Sequence, residues 1–186
     1  MDTIQFYSSL GFQHVLDLNG LDHLYFIAAL SLPFGLKDWK KLLWWVTLFT
    51  LGHSLSLIGN YYAGYRFSSY WIELLIPITI AVGCYPLLAQ KRPKANGFSS
   101  ILTFLFGLIH GLGFGRFFAM MVDPDVAISS LFSFALGVEL AQLVIVLGVL
   151  LLNLIWINTP RYLKFWRLCL GFLIFLLALV MIVERI

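Results

Sequence analysis

The chain has 186 residues, of which 61% are hydrophobic and only 11% are charged. An ordinary soluble domain is about 25% charged, and one of roughly 150 residues buries only about 70% of the surface that its unfolded chain exposes. This composition excludes a soluble fold, and lipid must be the solvent for the remaining apolar surface. The net charge of +3 comes from basic residues that anchor loops rather than from one patch, so we expect no nucleic-acid partner.

Six apolar runs are separated by short polar loops, as expected for helices that cross the hydrocarbon with about 20 residues each. The first run is short, and we expect the mixed polar and apolar residues 3–18 to complete it as an interfacial or re-entrant helix. The sequence therefore predicts an all-α integral membrane bundle of about six transmembrane helices. It forms a single domain, 1–186, without a tandem repeat. The predicted spans are 21–36, 42–62, 70–90, 98–122, 127–157 and 168–183.

Lysine and arginine are concentrated after the first, third and fifth spans. By the positive-inside rule these loops are cytoplasmic, which places both termini outside. The chain begins Met1-Asp2 without a basic n-region, so we expect no cleavable signal peptide. We predict a multi-pass protein of the bacterial inner (cytoplasmic) membrane. The basic residues of the three loops are Lys37, Lys40, Lys41, Lys91, Arg92, Lys94, Arg161, Lys164 and Arg167.

Two histidines and two aspartates lie together at the outer end of the first span. They are His14, Asp17, Asp22 and His23, and Gly20 allows a bend between them. Ionisable residues at membrane depth are costly and usually mark a site. Imidazole and carboxylate groups suit Ni²⁺, Zn²⁺, Co²⁺ and Cu²⁺. We therefore predict metal ligands here, with the alternative that Asp22 caps the helix that enters the membrane.

A polar stripe lies near the middle of the second span. Thr50, His53 and Ser56 are spaced by three residues and share one helix face. A buried histidine that bonds a neighbouring helix is the ordinary explanation of such a residue. Because hydroxyl groups accompany it on both sides, we predict His53 as a metal ligand and Thr50 and Ser56 as groups that surround the site.

The histidine of the fourth span lies among glycines. Gly107, Gly111 and Gly115 have the small-xxx-small spacing that lets helices approach closely. Gly107 and Gly113 also clear space on either side of His110. Glycine packing alone is common in membrane helices, but a histidine placed inside it favours a role in the site.

Two polar residues lie deep in the long fifth span. Glu139 and Gln142 are one turn apart, and a glutamate at mid-membrane depth is expected to be a ligand, a proton carrier or the partner of a buried cation such as Arg116. Glu73, at the outer end of the third span, is compatible with either the site or the interface. All four histidines of the chain fall in these segments rather than in loops, which indicates that they converge.

These segments, in this order, resemble the HupE/UreJ family of small bacterial membrane proteins. The matching pieces begin at His14 and end at Gln142, although Ala135 and Ala141 stand where the family often has asparagine and glycine. The resemblance implies a nickel or cobalt permease associated with hydrogenase or urease maturation. The matching pieces contain His14, Asp22 and His23, then 49–57, Glu73, 106–114 and 137–142.

Two functions fit these residues. A permease for Ni²⁺, Co²⁺ or Zn²⁺ would admit the ion past His14, Asp17, Asp22 and His23, and hold it with His23, His53, His110 and Glu139. The alternative is an intramembrane zinc-type hydrolase with three histidine ligands, Glu139 as general base and Ser54 as a candidate nucleophile. A metal sensor or an assembly subunit is a third option, and six helices leave room for a homo-oligomer.

Overall fold

The structure, a computed structural model, describes residues 3–18, 20–64, 67–91, 93, 97–156 and 158–186. Met1, Asp2, Arg92 and Lys94, on which some of the predictions above rest, lie outside the described residues. Every regular element of the described chain is helical, which confirms the all-α class. The helices are α1 Thr3–Val15, α2 Asp22–Ser31, α3 Trp39–Ala63, α4 Ser69–Gly83, α5 Tyr85–Leu88, α6 Gly97–Met121, α7 Ala127–Ile155 and α8 Pro160–Val183.

Five helical stretches of the described chain are long and apolar enough to cross a membrane. Large apolar side chains such as Leu51, Leu105 and Leu147 are about half exposed on them, as expected for a surface that lipid covers. The predicted membrane bundle is therefore confirmed. The stretches are Leu36–Ala63, Ser69–Leu88, Gly97–Met121, Pro124–Ile155 and Pro160–Val183.

The first predicted span is not a single helix. Only Asp22–Ser31 of the range 21–36 is an α-helix, and the expected N-terminal segment forms a separate helix, Thr3–Val15. Polar residues and Gly20 occupy the connection between them, where the amide of Gly20 bonds the carbonyl of Asp17 at 3.2 Å. The two helices are therefore separated by a short turn at Gly20, where the sequence predicted a bend.

One end of the bundle collects basic residues, and we call it the basic end. The Nζ of Lys41 donates to the carbonyl of Pro93 at 2.6 Å, and Nη2 of Arg167 donates to the carbonyl of Phe34 at 2.7 Å. Asn153, near the end of α7, donates to the same carbonyl of Phe34 at 3.0 Å. The loops after the first, third and fifth predicted spans therefore lie together, as the Lys/Arg pattern predicted.

The two ends of the chain lie at the opposite end of the bundle, which we call the terminal end. The hydroxyl of Tyr7 donates to the carbonyl of Met121 at 3.1 Å, and Nη1 of Arg185 donates to the carbonyl of Glu73 at 2.6 Å. Because α6 runs from the basic end to Met121, α1 starts at the terminal end. The helices α1 and α2 therefore follow one another from the terminal end toward the basic end, and both pack against α7.

Glycines allow two helix pairs to touch backbone to backbone. A methyl group on any of four glycines would collide with a carbonyl oxygen of the facing helix. Such contacts bring membrane helices unusually close, so α3 is held tightly against α6, and α1 against α7. The glycines and the residues whose carbonyls they face are Gly52 with Phe104, Gly107 with Phe49, Gly11 with Phe134 and Gly137 with Ser8.

Candidate metal centre

Three histidines from three helices converge in the bundle. His14 lies in the last turn of α1, His23 in the first turn of α2, and His53 near the midpoint of the 25-residue α3. One ring nitrogen of each lies within 4.8 Å of the others. Imidazole–metal bonds are about 2.0–2.1 Å long, so a bound ion would draw the three rings slightly inward. The break between α1 and α2 brings His14 and His23 together, with ring centroids 4.7 Å apart.

Five of the six ring nitrogens in this cluster are buried without a hydrogen-bond partner among the described residues. Both nitrogens of His53 and Nε2 of His14 and of His23 are buried and unpaired, and Nδ1 of His23 makes no hydrogen bond although the Asp22 carboxylate lies 3.5 Å away. His53 is 0% exposed and His23 only 2%. Leaving one buried polar group unpaired costs about 1–3 kcal/mol, and native proteins contain few such groups. A ligand that accepts several imidazole lone pairs explains this concentration, and divalent transition metals do so.

His110 adjoins the three histidines and has a defined proton position. Its Nδ1 lies 2.8 Å from the carbonyl oxygen of Phe106, which can only accept, so Nδ1 carries the hydrogen. The lone pair of a neutral imidazole then lies on Nε2, which is buried and unpaired. The rings of His110 and His23 have centroids 5.2 Å apart. Proteins orient a metal-binding histidine by such a hydrogen bond from the ring nitrogen that does not bind the metal.

The carboxylate of Asp22 lies beside the cluster. Its Oδ1 is 3.5 Å from Nδ1 of His23, a position from which it can orient that ring and offset the charge of a bound cation. The N-cap of α2 is Leu21 and makes no side-chain cap bond. The alternative that Asp22 serves as the cap residue is therefore wrong. Asp17 lies on the α1–α2 connection and is exposed.

Phenylalanine rings enclose the histidines. Phe114 stacks near His14 with ring centroids 4.1 Å apart, and Phe49 lies 5.0 Å and Phe26 5.3 Å from the His110 ring. Apolar walls exclude water from a metal site and strengthen the ligand bonds. Sequence reasoning missed this enclosure, although a phenylalanine lies four residues before His53 and another four residues after His110.

Glu139 is bonded by two threonines of α3. Its Oε1 accepts from Oγ1 of Thr47 at 2.6 Å, and its Oε2 accepts from Oγ1 of Thr50. The Thr50 hydroxyl also lies 3.2 Å from Oε1 of Gln142. The carboxylate is therefore about one helical turn from His53, on the basic-end side. Thr47 was missed because the stripe was counted only from Thr50 onward, although it lies three residues before Thr50.

The remaining predicted residues lie outside the histidine cluster. Ser56 donates to the carbonyl of His53 at 2.7 Å and so contacts the backbone of a site residue rather than its ring. Glu73 and Arg116 line a cleft at the terminal end, and both are exposed. Ser54 Oγ is buried and has no partner among the described residues. Arg116 is not the partner of Glu139, whose described bonds are to the two threonines.

These features define a helical membrane protein with three histidines close enough to share a metal ion. The sequence model of the HupE / UreJ protein family matches residues 1–185. The chain therefore belongs to the HupE/UreJ family, which is related to metal transport. No curated protein and no solved structure gives a match.

Proposed function

We propose that this protein is a permease for divalent transition-metal ions, Ni²⁺, Co²⁺ or Zn²⁺, in the bacterial inner membrane. The observation that carries the proposal is the set of unpaired, buried ring nitrogens on His14, His23 and His53 at the middle of the bundle. The relation of the HupE/UreJ family to metal transport supports it. The ion is the cargo, and the histidines are its stopping point within the membrane.

The α1–α2 break contributes a second attraction for a cation. α1 ends at Val15, one residue after His14, so its last carbonyl groups lack intrahelical partners close to the cluster. The C-terminal end of a helix carries a partial negative charge. Transporters use the ends of interrupted helices in this way near the membrane middle. His110 then serves as a fourth ligand, and Asp22 and Asp17 supply carboxylates next to the connection.

Polar groups continue from the histidines toward the basic end. Thr50, Thr47 and the Glu139 carboxylate follow within about one to two helical turns, and Gln142 lies beside them with its Nε2 unpaired. A second polar stop allows the ion to leave the histidines, and transport requires sites that do not hold the ion too tightly. Because the basic end is cytoplasmic by the positive-inside rule, this direction corresponds to uptake.

The hydrolase alternative has less support. It needs a carboxylate free to activate water on the metal, but both oxygens of Glu139 accept threonine hydroxyls away from the rings. Ser54, the candidate nucleophile, has no described contact with the histidine rings. We therefore favour the permease.

The proposal is tested with purified protein in sealed liposomes. Wild-type protein should carry Ni²⁺, Co²⁺ or Zn²⁺ into the lumen, and His53→Ala should reduce entry to that of protein-free liposomes. Ser133→Ala is the matched control, because the described bond of this buried α7 hydroxyl is to the carbonyl of Ser129 in its own helix. If wild-type protein binds metal tightly yet passes none of the three ions, the permease function is wrong.

A further inference from the structure

The two tightly packed helix pairs carry matching sequences. Residues 49–55 of α3 read FTLGHSL, and residues 134–140 of α7 read FALGVEL. Residues 107–110 of α6 read GLIH, and residues 11–14 of α1 read GFQH. Each pair of helices therefore consists of one helix with the first pattern and one with the second.

The backbone contacts of the two pairs correspond residue by residue. Aligning Phe49 with Phe134 also aligns Gly52 with Gly137, and aligning Gly107 with Gly11 also aligns His110 with His14. The same aligned positions meet in both pairs, although each pair joins segments that are far apart in the chain. A Cβ on Gly52 would meet Phe104 O and Leu108 N, and a Cβ on the aligned Gly137 would meet Ser8 O and Phe12 N. A Cβ on Gly107 would meet Phe49 O, and a Cβ on the aligned Gly11 would meet Phe134 O.

The corresponding helices run in opposite directions. α3 and α6 both run from the basic end to the terminal end, whereas α7 and α1 both run from the terminal end to the basic end. The segments of α1 and α3 are thus related to those of α6 and α7 as in an inverted repeat, although the sequence shows no repeat in tandem. In transporters with inverted repeats, the substrate lies where the halves meet, and one half rocks against the other. The four histidines lie between the two pairs here.

The two pairs differ on the far side of the histidines. Beyond His110, α6 continues against α3: a Cβ on Gly111 would meet the His53 backbone and Ser56 Oγ, and a Cβ on Gly115 would lie 3.0 Å from the Asn60 Cβ. α1 instead ends directly after His14. We call the contact of Gly111 and Gly115 with Ser56 and Asn60 the outer seal. It lies on the terminal-end side of the histidines. Toward the basic end, α2 follows α1 and packs against α7.

We infer that the outer seal is a gate, and that α6 must separate from α3 there before an ion from outside reaches the histidines. This inference rests on the proposed function for its direction of transport. It is carried by the inverted repeat, by the close contact of α6 with α3 on the terminal-end side of the histidines, and by His53, whose side chain is fully buried and whose backbone forms part of that contact. The structure is therefore a state closed to the outside.

A reversible cross-link across the seal tests this gate. In a background with Cys84 and Cys169 replaced by alanine, the double variant Asn60→Cys, Gly115→Cys places two thiols at the contact. A disulfide needs a Cβ–Cβ distance of about 3.5–4.5 Å. The Cβ atoms at these two positions would lie 3.0 Å apart, so a small separation of the helices brings them into that range. Oriented liposomes with the basic end toward the lumen receive Co²⁺ outside, and the visible absorption of imidazole-bound Co²⁺ reports its arrival at the histidines.

The oxidised variant should show neither Co²⁺ absorption nor uptake, and reduction with dithiothreitol should restore both. Each single cysteine variant should behave like the background under both conditions. The pair Leu87→Cys, Gly171→Cys is the matched control. It joins α5 to α8 outside the seal, where a Cβ on Gly171 would lie 2.8 Å from the Cβ of Leu87. Its oxidised form should still take up Co²⁺.

Two results would overturn the gate. One is an oxidised Asn60–Gly115 variant that acquires Co²⁺ absorption as fast as the reduced form. The other is loss of Co²⁺ entry in the oxidised Leu87–Gly171 control as well, which would show a general effect of cross-linking. Co²⁺ absorption that depends on reduction, without any uptake in the reduced protein, would instead support the gate and refute transport.

Discussion

Replacement of His53 by leucine should separate a ligand from an ordinary buried histidine. In the metal-free protein, both ring nitrogens of His53 are buried and unpaired, and each costs about 1–3 kcal/mol. Leucine fills a comparable volume without polar atoms. The metal-free variant should therefore unfold at the same temperature as wild type or a higher one, although most core substitutions of this kind destabilise.

Metal should reverse the order of stability. An ion at about 100 times its Kd stabilises a protein that binds it only when folded by about 2.7 kcal/mol. Ni²⁺ should therefore raise the Tm of the wild type and leave that of His53→Leu unchanged. Both values can be measured in detergent by tryptophan fluorescence, in the presence of chelator and then of Ni²⁺.

Asn153→Leu is the control for this comparison. Asn153 is buried, but its side-chain amide donates to the carbonyls of Leu32 and Phe34 at 3.2 and 3.0 Å. Its removal takes a donor from the carbonyl of Leu32, whereas that of Phe34 keeps Arg167. The variant should therefore lose about 1–3 kcal/mol and keep the full response to Ni²⁺. If His53→Leu destabilises the metal-free protein as Asn153→Leu does, or retains the Ni²⁺ response, the metal site assignment is wrong.

Three further predictions concern topology, transport and packing. Cysteines at Lys40 and Lys164 should react with a membrane-impermeant reagent only from the cytoplasmic side, and labelling of either from outside would refute the orientation. Glu139→Gln should lower metal uptake steeply in liposomes while bound metal, measured by elemental analysis, stays near wild type; unchanged uptake would remove Glu139 from the path. Gly52→Ala should destabilise the bundle because its methyl group meets a carbonyl of α6. Gly148→Ala is the control: with nothing within 4 Å of its Cβ, it should be neutral or stabilise by up to about 1 kcal/mol. Equal thermal stability of the two variants in detergent would contradict the close packing.

The composition and the order of residues were enough to define the class of this protein. An apolar chain of this length has only helices or a closed barrel available in lipid, and long apolar runs select helices. The Lys/Arg pattern predicted which loops lie together, and Lys41 and Arg167 do bond across them. Polar residues that lipid disfavours stand out on such a background, so the amino-acid order alone assigned all four histidines to one region.

The partners within that region required the tertiary structure. Helical periodicity shows which residues share a face, but it does not show how far one helix slides along its neighbour. That register brought His14, rather than His110, into the closest group with His23 and His53, and it placed Glu139 against Thr47 and Thr50 instead of the rings.

The inverted repeat was hidden for a related reason. Its matching segments are short and lie in helices of opposite direction, so only the equal backbone contacts of Gly52 and Gly137 reveal the relation. The close approach of the two histidines across the break after Val15 was also a tertiary outcome. Gly20 predicted a bend between the two histidines, but the structure was needed to show that the turn after Val15 brings the rings of His14 and His23 to 4.7 Å between centroids.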